Sequence, residues 1–184
     1  MILASNSPRR QQLLKEAGFS FEVYTEQVDE SYPDSIKKST VGEYLARKKS
    51  DFYGKKLSDA IIVTADTTVV LDNQLLEKPA DSNEAYEMLT RLSGRSHDVI
   101  TGVCIAAPDG LDAFSVSTRV TFKELTNEEI NYYISNYKPF DKAGAYGIQE
   151  WIGMIGITGI EGSYFNVVGL PVQELFAALS KYKM

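Results

Sequence analysis

Two β-like runs, residues 99–106 and 113–122, flank the turn tripeptide Pro108-Asp109-Gly110, and no other feature limits the fold as tightly. Proline presets the backbone angle at one corner of a turn and glycine lets the chain reverse, so neighbouring runs rich in β-branched residues pair as an antiparallel hairpin. A strictly alternating parallel sheet is thereby excluded. Further β-like runs cover 21–25 and 61–71, the second with an interruption expected near Asp66. Helical segments separate them. Ser7 can cap a helix whose first residue is Pro8, with Leu13, Leu14 and Ala17 on one face and Gly18 at its end. Thr40 and Glu43 form a capping-box pattern ahead of Val41, Tyr44, Leu45 and Phe52, predicting a helix over about 41–54. Asp81 and Glu84 open a third helix carrying Ala85, Met88, Leu89 and Leu92, and Thr126 with Glu129 a fourth carrying Ile130, Tyr133, Ile134 and Tyr137. Val172, Leu175, Phe176 and Leu179 mark a last helix. The fold class is mixed α/β. The stretch 153–169, with five glycines, reads as tight turns near a surface.

Composition sets the outer limits. A chain of 184 residues, 43% hydrophobic, can bury one sizeable core, and 1–184 reads as a single domain without linkers or repeats. The 19 basic and 25 acidic residues leave a net charge of −6, so no global field draws the protein to nucleic acid or to an anionic membrane. Any phosphate ligand must be met locally. Cys104 is the only cysteine, which excludes an intramolecular disulfide and fits a reducing compartment. The apolar start Met1-Ile2-Leu3-Ala4 is too short for a signal-peptide core, and no run nears the roughly 20 apolar residues of a membrane span. A cytoplasmic protein is expected.

Three groups of residues look chemical. In Ser5-Asn6-Ser7-Pro8-Arg9-Arg10, hydroxyls and two guanidiniums crowd onto a helix start, where the macrodipole favours anions and disfavours adjacent cations unless an anion joins them. A phosphate cradle explains the pattern; an ordinary serine cap with solvated arginines is the other reading. Asp66, in Thr64-Ala65-Asp66-Thr67-Thr68, is a carboxylate inside an apolar run and must end a strand, sit at a bulge, or be paired or metal-bound. A turn aspartate remains open, but the chain turns apolar again on both sides, which favours a site. Lys49 lies close to the buried stripe of its helix, where it is either a ligand or a snorkelling surface lysine. Lys78, in Glu77-Lys78-Pro79 after a hairpin return at Asp72-Asn73, is a ligand or a loop lysine. Glu30 could join Asp66 as an oxygen ligand for Mg²⁺, or belong to a solvated acidic loop. His97 has no partner for a His-based metal set or a Cys–His pair and is assigned to structure.

Taken in order, Leu3-Ala4-Ser5-x-Ser7-Pro8-Arg9-Arg10, Ala65-Asp66-Thr67, Glu77-Lys78-Pro79, Ser93-Gly94-x-Ser96-His97, the segment from Asp141 through Gly147-Ile148-Gln149, and Gly162-Ser163-Tyr164-x-Asn166-Val167-Val168-Gly169-Leu170-Pro171 resemble the Maf family of nucleotide pyrophosphatases. The resemblance spans nearly the whole chain. It implies a two-lobed mixed α/β fold like that of the inosine triphosphate pyrophosphatases, with a central nucleotide cleft. It further implies hydrolysis of a nucleoside triphosphate to monophosphate and pyrophosphate with a divalent metal cation, Mg²⁺ or Mn²⁺, and it suggests a homodimer. On the matching positions the resemblance implies that Ser7, Arg9, Arg10, Lys49 and Lys78 bind phosphate, that Glu30 is a metal-holding or water-orienting acid, and that Asp66 holds metal and is the catalytic acid. Arg10, Thr67 and Gln149 correspond to the branch that resembles dTTP/UTP pyrophosphatases. A Gln amide can meet both a donor and an acceptor on a pyrimidine edge. A role in nucleotide-pool sanitation or division arrest follows from the same resemblance, and a non-catalytic nucleotide-binding regulator of septum formation is the alternative.

Overall fold

The computed structural model describes residues 1–182. Seven strands join one mixed sheet: β1 (Ile2–Leu3), β2 (Glu22–Val23), β3 (Ile62–Leu71), β4 (Gln74–Leu76), β5 (Ser96–Ala107), β6 (Gly110–Phe122) and β7 (Ile157–Glu161). Their order is β2-β1-β3-β5-β6-β7, with β4 on β3. The helices are α1 (Pro8–Glu16), α2 (Val41–Gly54), α3 (Ser82–Leu92), α4 (Asn127–Tyr137), α5 (Trp151–Gly156), α6 (Tyr164–Val168) and α7 (Val172–Leu179). The mixed α/β class expected from the hairpin is the observed one, and Pro108 and Asp109 form the turn between β5 and β6. No helix among the described residues is long and apolar enough to cross a membrane.

The chain divides into two compact units. The first comprises Met1–Thr67, Thr101–Val116 and the segment from Gly169 onward. Here β1 pairs in parallel with β2 and β3, Leu3 facing Val23 on one side and Val63 on the other. Parallel strands need a crossover, and α1 supplies one. Ser7 caps α1 by accepting from the Arg10 backbone N–H at 3.4 Å, and Pro8 stands at its first position. Leu14, Leu45, Ala46, Val103, Leu175 and Leu179 are among the buried apolar side chains of this first unit. Gly102 on β5 has no room for a side chain: an added Cβ would lie 2.1 Å from the backbone nitrogen of Glu43, so the start of α2 rests directly on this strand.

Helix α2 has the expected bounds but not the expected cap. A 3₁₀ turn over Lys38–Thr40 holds Thr40 in a helical conformation, and its hydroxyl donates back to Lys37 O instead of bonding the first turn of α2. Phe176 departs from its predicted stripe as well: it is 56% exposed and packs at a tilt on Phe19.

The second unit comprises Thr68–Ile100 and Ser117–Val168. Strands β3 and β4 form a tight hairpin through Asp72 and Asn73, both at positive φ, as the favoured two-residue turn demands. Asp81 caps α3, and Thr126 with Glu129 makes the full capping box of α4, the two helices packing on each other. The 153–169 stretch corrects the expectation of tight turns. It holds most of α5, strand β7 paired antiparallel with β6, and α6. Two of its glycines serve close packing: a Cβ on Gly153 would stand 1.9 Å from Ile148 O, and one on Gly156 would press on Phe122 and Leu125.

Candidate active site

Strand β3 runs unbroken through Asp66, contrary to the expected interruption. The ladder survives because the carboxylate, 17% exposed, is ion-paired: Lys49 Nζ on α2 lies 2.7 Å from Asp66 Oδ1. The same ammonium lies 2.7 Å from Glu30 Oε1. Lys49 is 13% exposed and Glu30 53%, so a half-buried carboxylate and a more exposed one converge on a single cation. The loop bearing Glu30 is held by further pairs, Asp29 to Lys48 on α2 at 2.8 Å and Glu26 to Lys56 in the turn after that helix at 2.5 Å. Tyr53 reinforces this by donating to Glu26 O at 3.0 Å.

Beside this centre lies the start of α1. Arg10 is bound on nearly every donor: Nε to Gly169 O at 2.8 Å, Nη1 to Ala65 O at 2.9 Å and to Ser5 Oγ at 3.4 Å, Nη2 to Thr67 Oγ1 at 3.0 Å. Thr67 also meets the Thr101 hydroxyl at 2.9 Å. Burial pulls the guanidinium pKa below its ordinary value, while the charge of Asp66 resists that shift; Arg9 adds to the lowering and Glu30 opposes it. The electrostatic coupling places both arginines, Asp66 and Glu30 in one neighbourhood. Arg9 is half-exposed at the second position of α1.

The structure thus brings together, within the first unit, Ser7, Arg9, Arg10, Glu30, Lys49, Asp66 and Thr67. Lys78 and Gln149 belong to the second unit. Lys78 is exposed on the loop after β4, and Gln149 is exposed in a turn ahead of α5. His97 is a core histidine, as assigned: it is 2% exposed, with Nε2 2.7 Å from Tyr146 Oη and its ring stacked on Phe122. Ser5, Thr101 and Gly169 escaped the sequence reading as partners of Arg10 and Thr67. Gly169 sits at φ +131, a conformation that favours glycine, and the motifs containing Ser5 and Gly169 were the signals the sequence offered.

The donor set suits a divalent cation. Two carboxylates already share one positive charge, so their oxygens lie within twice the Lys49 ion-pair distance of each other. Among the described residues no group of three or more His, Cys, Asp or Glu side chains gathers into a complete metal cage. One or two carboxylates completed by substrate oxygens and water is the way Mg²⁺ is commonly held.

Fold and site together define a mixed α/β protein that sets a cationic helix start beside an acid–lysine–acid centre, an arrangement able to hold a polyanion and a divalent cation side by side. A family model described as Maf-like protein matches residues 1–182. The chain is 52% identical over 183 residues to a dTTP/UTP pyrophosphatase of Phocaeicola vulgatus, covering 98% of this chain and 95% of that one. It is 50% identical over 184 residues to a dTTP/UTP pyrophosphatase of Parabacteroides distasonis, covering 99% and 95%, and 48% identical over 180 residues to one of Flavobacterium psychrophilum, covering 97% and 92%. The chain belongs to the Maf-like protein family.

Proposed function

We propose that this protein hydrolyses dTTP, UTP and related pyrimidine nucleoside triphosphates to the monophosphate and pyrophosphate. The observation that carries the reading is the Glu30–Lys49–Asp66 centre beside the arginine-bearing start of α1, found in a chain about half identical to relatives named dTTP/UTP pyrophosphatases. A site that only bound an anion would gain nothing from two carboxylates there, since like charges repel.

Arg9, with Ser7 and the N-terminal turn of α1, neutralises phosphate oxygens, and Lys78 carries the same role in the second unit. Arg10 keeps the phosphate-binding and specificity assignment of its motif, yet four of its five N–H donors already serve the protein, so its share in binding is to hold Thr67 and the α1 start in place. Asp66 orients a water and accepts its proton as the water oxygen bonds to the α-phosphorus and the bond to the bridging oxygen of the β-phosphate breaks, expelling pyrophosphate. Lys49 stabilises the charge that collects on the phosphate oxygens. Glu30 and Asp66 would hold a divalent metal, Mg²⁺ or Mn²⁺, which when bound polarises those oxygens and eases departure of the leaving group. Thr67 and Gln149 carry the base selectivity. The cytoplasm supplies the substrate pool, and the free, buried Cys104 suits that compartment.

Turnover of a panel of nucleoside triphosphates with Mg²⁺ and with Mn²⁺, resolving pyrophosphate from orthophosphate, tests the reading. Pyrophosphate from dTTP and UTP is the expected product. Orthophosphate as first product, or tight binding without turnover, overturns it.

A further inference from the structure

The turn that presents Gln149 is built on a buried brace. Tyr133, on α4 and fully buried, places its hydroxyl between the two ends of that turn. The oxygen accepts from the Gly147 N–H at 2.9 Å and donates to the Glu150 carboxylate. The backbone closes the same turn, Glu150 N–H bonding Gly147 O at 3.0 Å. Lys142 Nζ, 10% exposed, reaches Glu150 Oε1 at 3.1 Å and Asp141 Oδ1 at 2.6 Å.

Glu150 directly precedes the first residue of α5, and its side chain makes no cap bond to that helix. It points back under the turn instead. The space there is full: a Cβ on Gly147 would stand 2.8 Å from Glu150 Cδ and 3.0 Å from Lys142 Cε. Ile148 is buried, and behind it Gly153 leaves no room against the Ile148 carbonyl. Burial, and then the bond to Glu150, raise the Tyr133 pKa, so the phenol keeps the proton it donates. Gln149 is the exposed residue at the top of this clamped segment.

The chemistry of base reading explains why such a brace would matter. Thymine and uracil offer an oxygen acceptor beside a ring N–H donor, and guanine offers the same pair in its O6 and N1–H, displaced by the width of a second ring. A Gln amide satisfies either with identical hydrogen bonds. What separates the two bases is where the amide stands, and a misplacement of about 1 Å is costly in a reacting complex.

We infer that Glu150, held by Tyr133 and Lys142, is a positioning residue for base selectivity, fixing the Gln149 turn so that its amide matches a single-ring base. The inference rests on the base-reading role proposed for Gln149 and names what enforces it.

The test is kcat/KM for dTTP and for dGTP in the full-length protein as wild type, Tyr133→Phe, Glu150→Gln and Gln149→Ala, and in the Tyr133→Phe and Glu150→Gln variants rebuilt on Gln149→Ala. With Gln149 present, either brace variant should lower the dTTP-to-dGTP ratio at least about fivefold; in the Gln149→Ala background the same changes should leave it within about twofold, since contacting residues that act as one unit are non-additive. A loss of melting temperature alone would be alike in both backgrounds and does not enter the ratio. An equal fall of the ratio in both backgrounds, or an unchanged ratio in both brace variants while Gln149→Ala loses selectivity, overturns the inference. An unchanged ratio in Gln149→Ala itself overturns the base-reading role on which it rests, and absence of pyrophosphate from the wild type overturns the function; the single-variant and wild-type rates distinguish these failures.

Discussion

His97 provides a measurement of burial free of interference, because it is the only histidine in the chain. Its ring lies between Phe122 and Tyr146, with Nε2 on the Tyr146 hydroxyl and Nδ1 buried without a hydrogen-bond partner among the described residues. Protonation would put a charge into that apolar setting and leave the Nδ1–H without an acceptor, so burial lowers the pKa from 6.5 to about 4, with Asp98 opposing. The unfolded chain therefore binds a proton on this residue at a higher pH than the native protein does. Stability is unaffected by His97 above the unfolded value and is lost progressively as pH falls from 6.5 to about 4. Integrated over that window the loss is about 3 kcal/mol, of which about 2 kcal/mol falls between about pH 7 and about pH 5. Urea unfolding at those two pH values measures the loss, and His97→Phe should flatten that limb even if it shifts the whole curve down. NMR titration of the lone imidazole reads the folded pKa directly. A midpoint near 6.5 would refute the reasoning, as would an acid limb equally steep in His97→Phe.

Three further predictions concern the site and the frame around it. Asp66→Asn removes the proposed proton acceptor and one of the two carboxylates on Lys49, and should cut pyrophosphate release by roughly 10²–10⁴-fold in steady-state assays while the fold persists by circular dichroism; near-wild-type turnover would exclude Asp66 as the base. Arg10→Met deprives Ala65 O, Gly169 O and two hydroxyls of their donor. Removing one side of so buried a charged network should cost about 3–5 kcal/mol, a fall in melting temperature of roughly 6–20 °C in thermal denaturation. Thr126→Ala breaks the capping box of α4 and should cost about 1 kcal/mol in urea unfolding without altering turnover.

Where the determinants were local, the chain was readable. The Thr126–Glu129 box needs only residues three apart, and Asp81 likewise caps α3 through its own first turn. Thr40 and Glu43 show the same pattern, yet the preceding 3₁₀ turn consumes the Thr40 hydroxyl, and Glu43 bonds Arg47 and Ser115. The misreadings elsewhere have non-local causes. Asp66 looked like a strand breaker because its neutralising Lys49 lies 17 residues away on another element. Gly153 and Gly156 read as turn formers because the groups they press against, Ile148 O and the Phe122 ring, cannot be seen in the segment itself. At the site, residue type and ordered motifs picked out Asp66, Lys49 and Glu30, whose convergence the structure provides. The brace under Gln149 was hidden because Tyr133 presented itself only as one member of an apolar helical stripe.

Arg10 links what the sequence presents as three separate motifs. Its guanidinium bonds Ser5 near the start of the chain, Ala65 and Thr67 on either side of Asp66, and Gly169, which lies 159 residues away. A planar fork with five donors can bind acceptors in several directions at once; a lysine at the same position, with three donors radiating from one point, could not reproduce the set. The choice of arginine next to Arg9 is thus explained by what surrounds it within the protein, and the repulsion expected between adjacent cations at a helix start is offset by the carboxylates of Asp66 and Glu30. It also follows that Thr67 is not a free hydroxyl: it accepts from Arg10 and meets Thr101, so a substitution there disturbs the clamp as well as any contact with a base. A selectivity change on substituting Arg10 or Thr67 would therefore mix any lost recognition with a displaced Asp66. Gln149, whose side chain is exposed and whose turn is supported by other residues, is the position at which recognition can be measured separately.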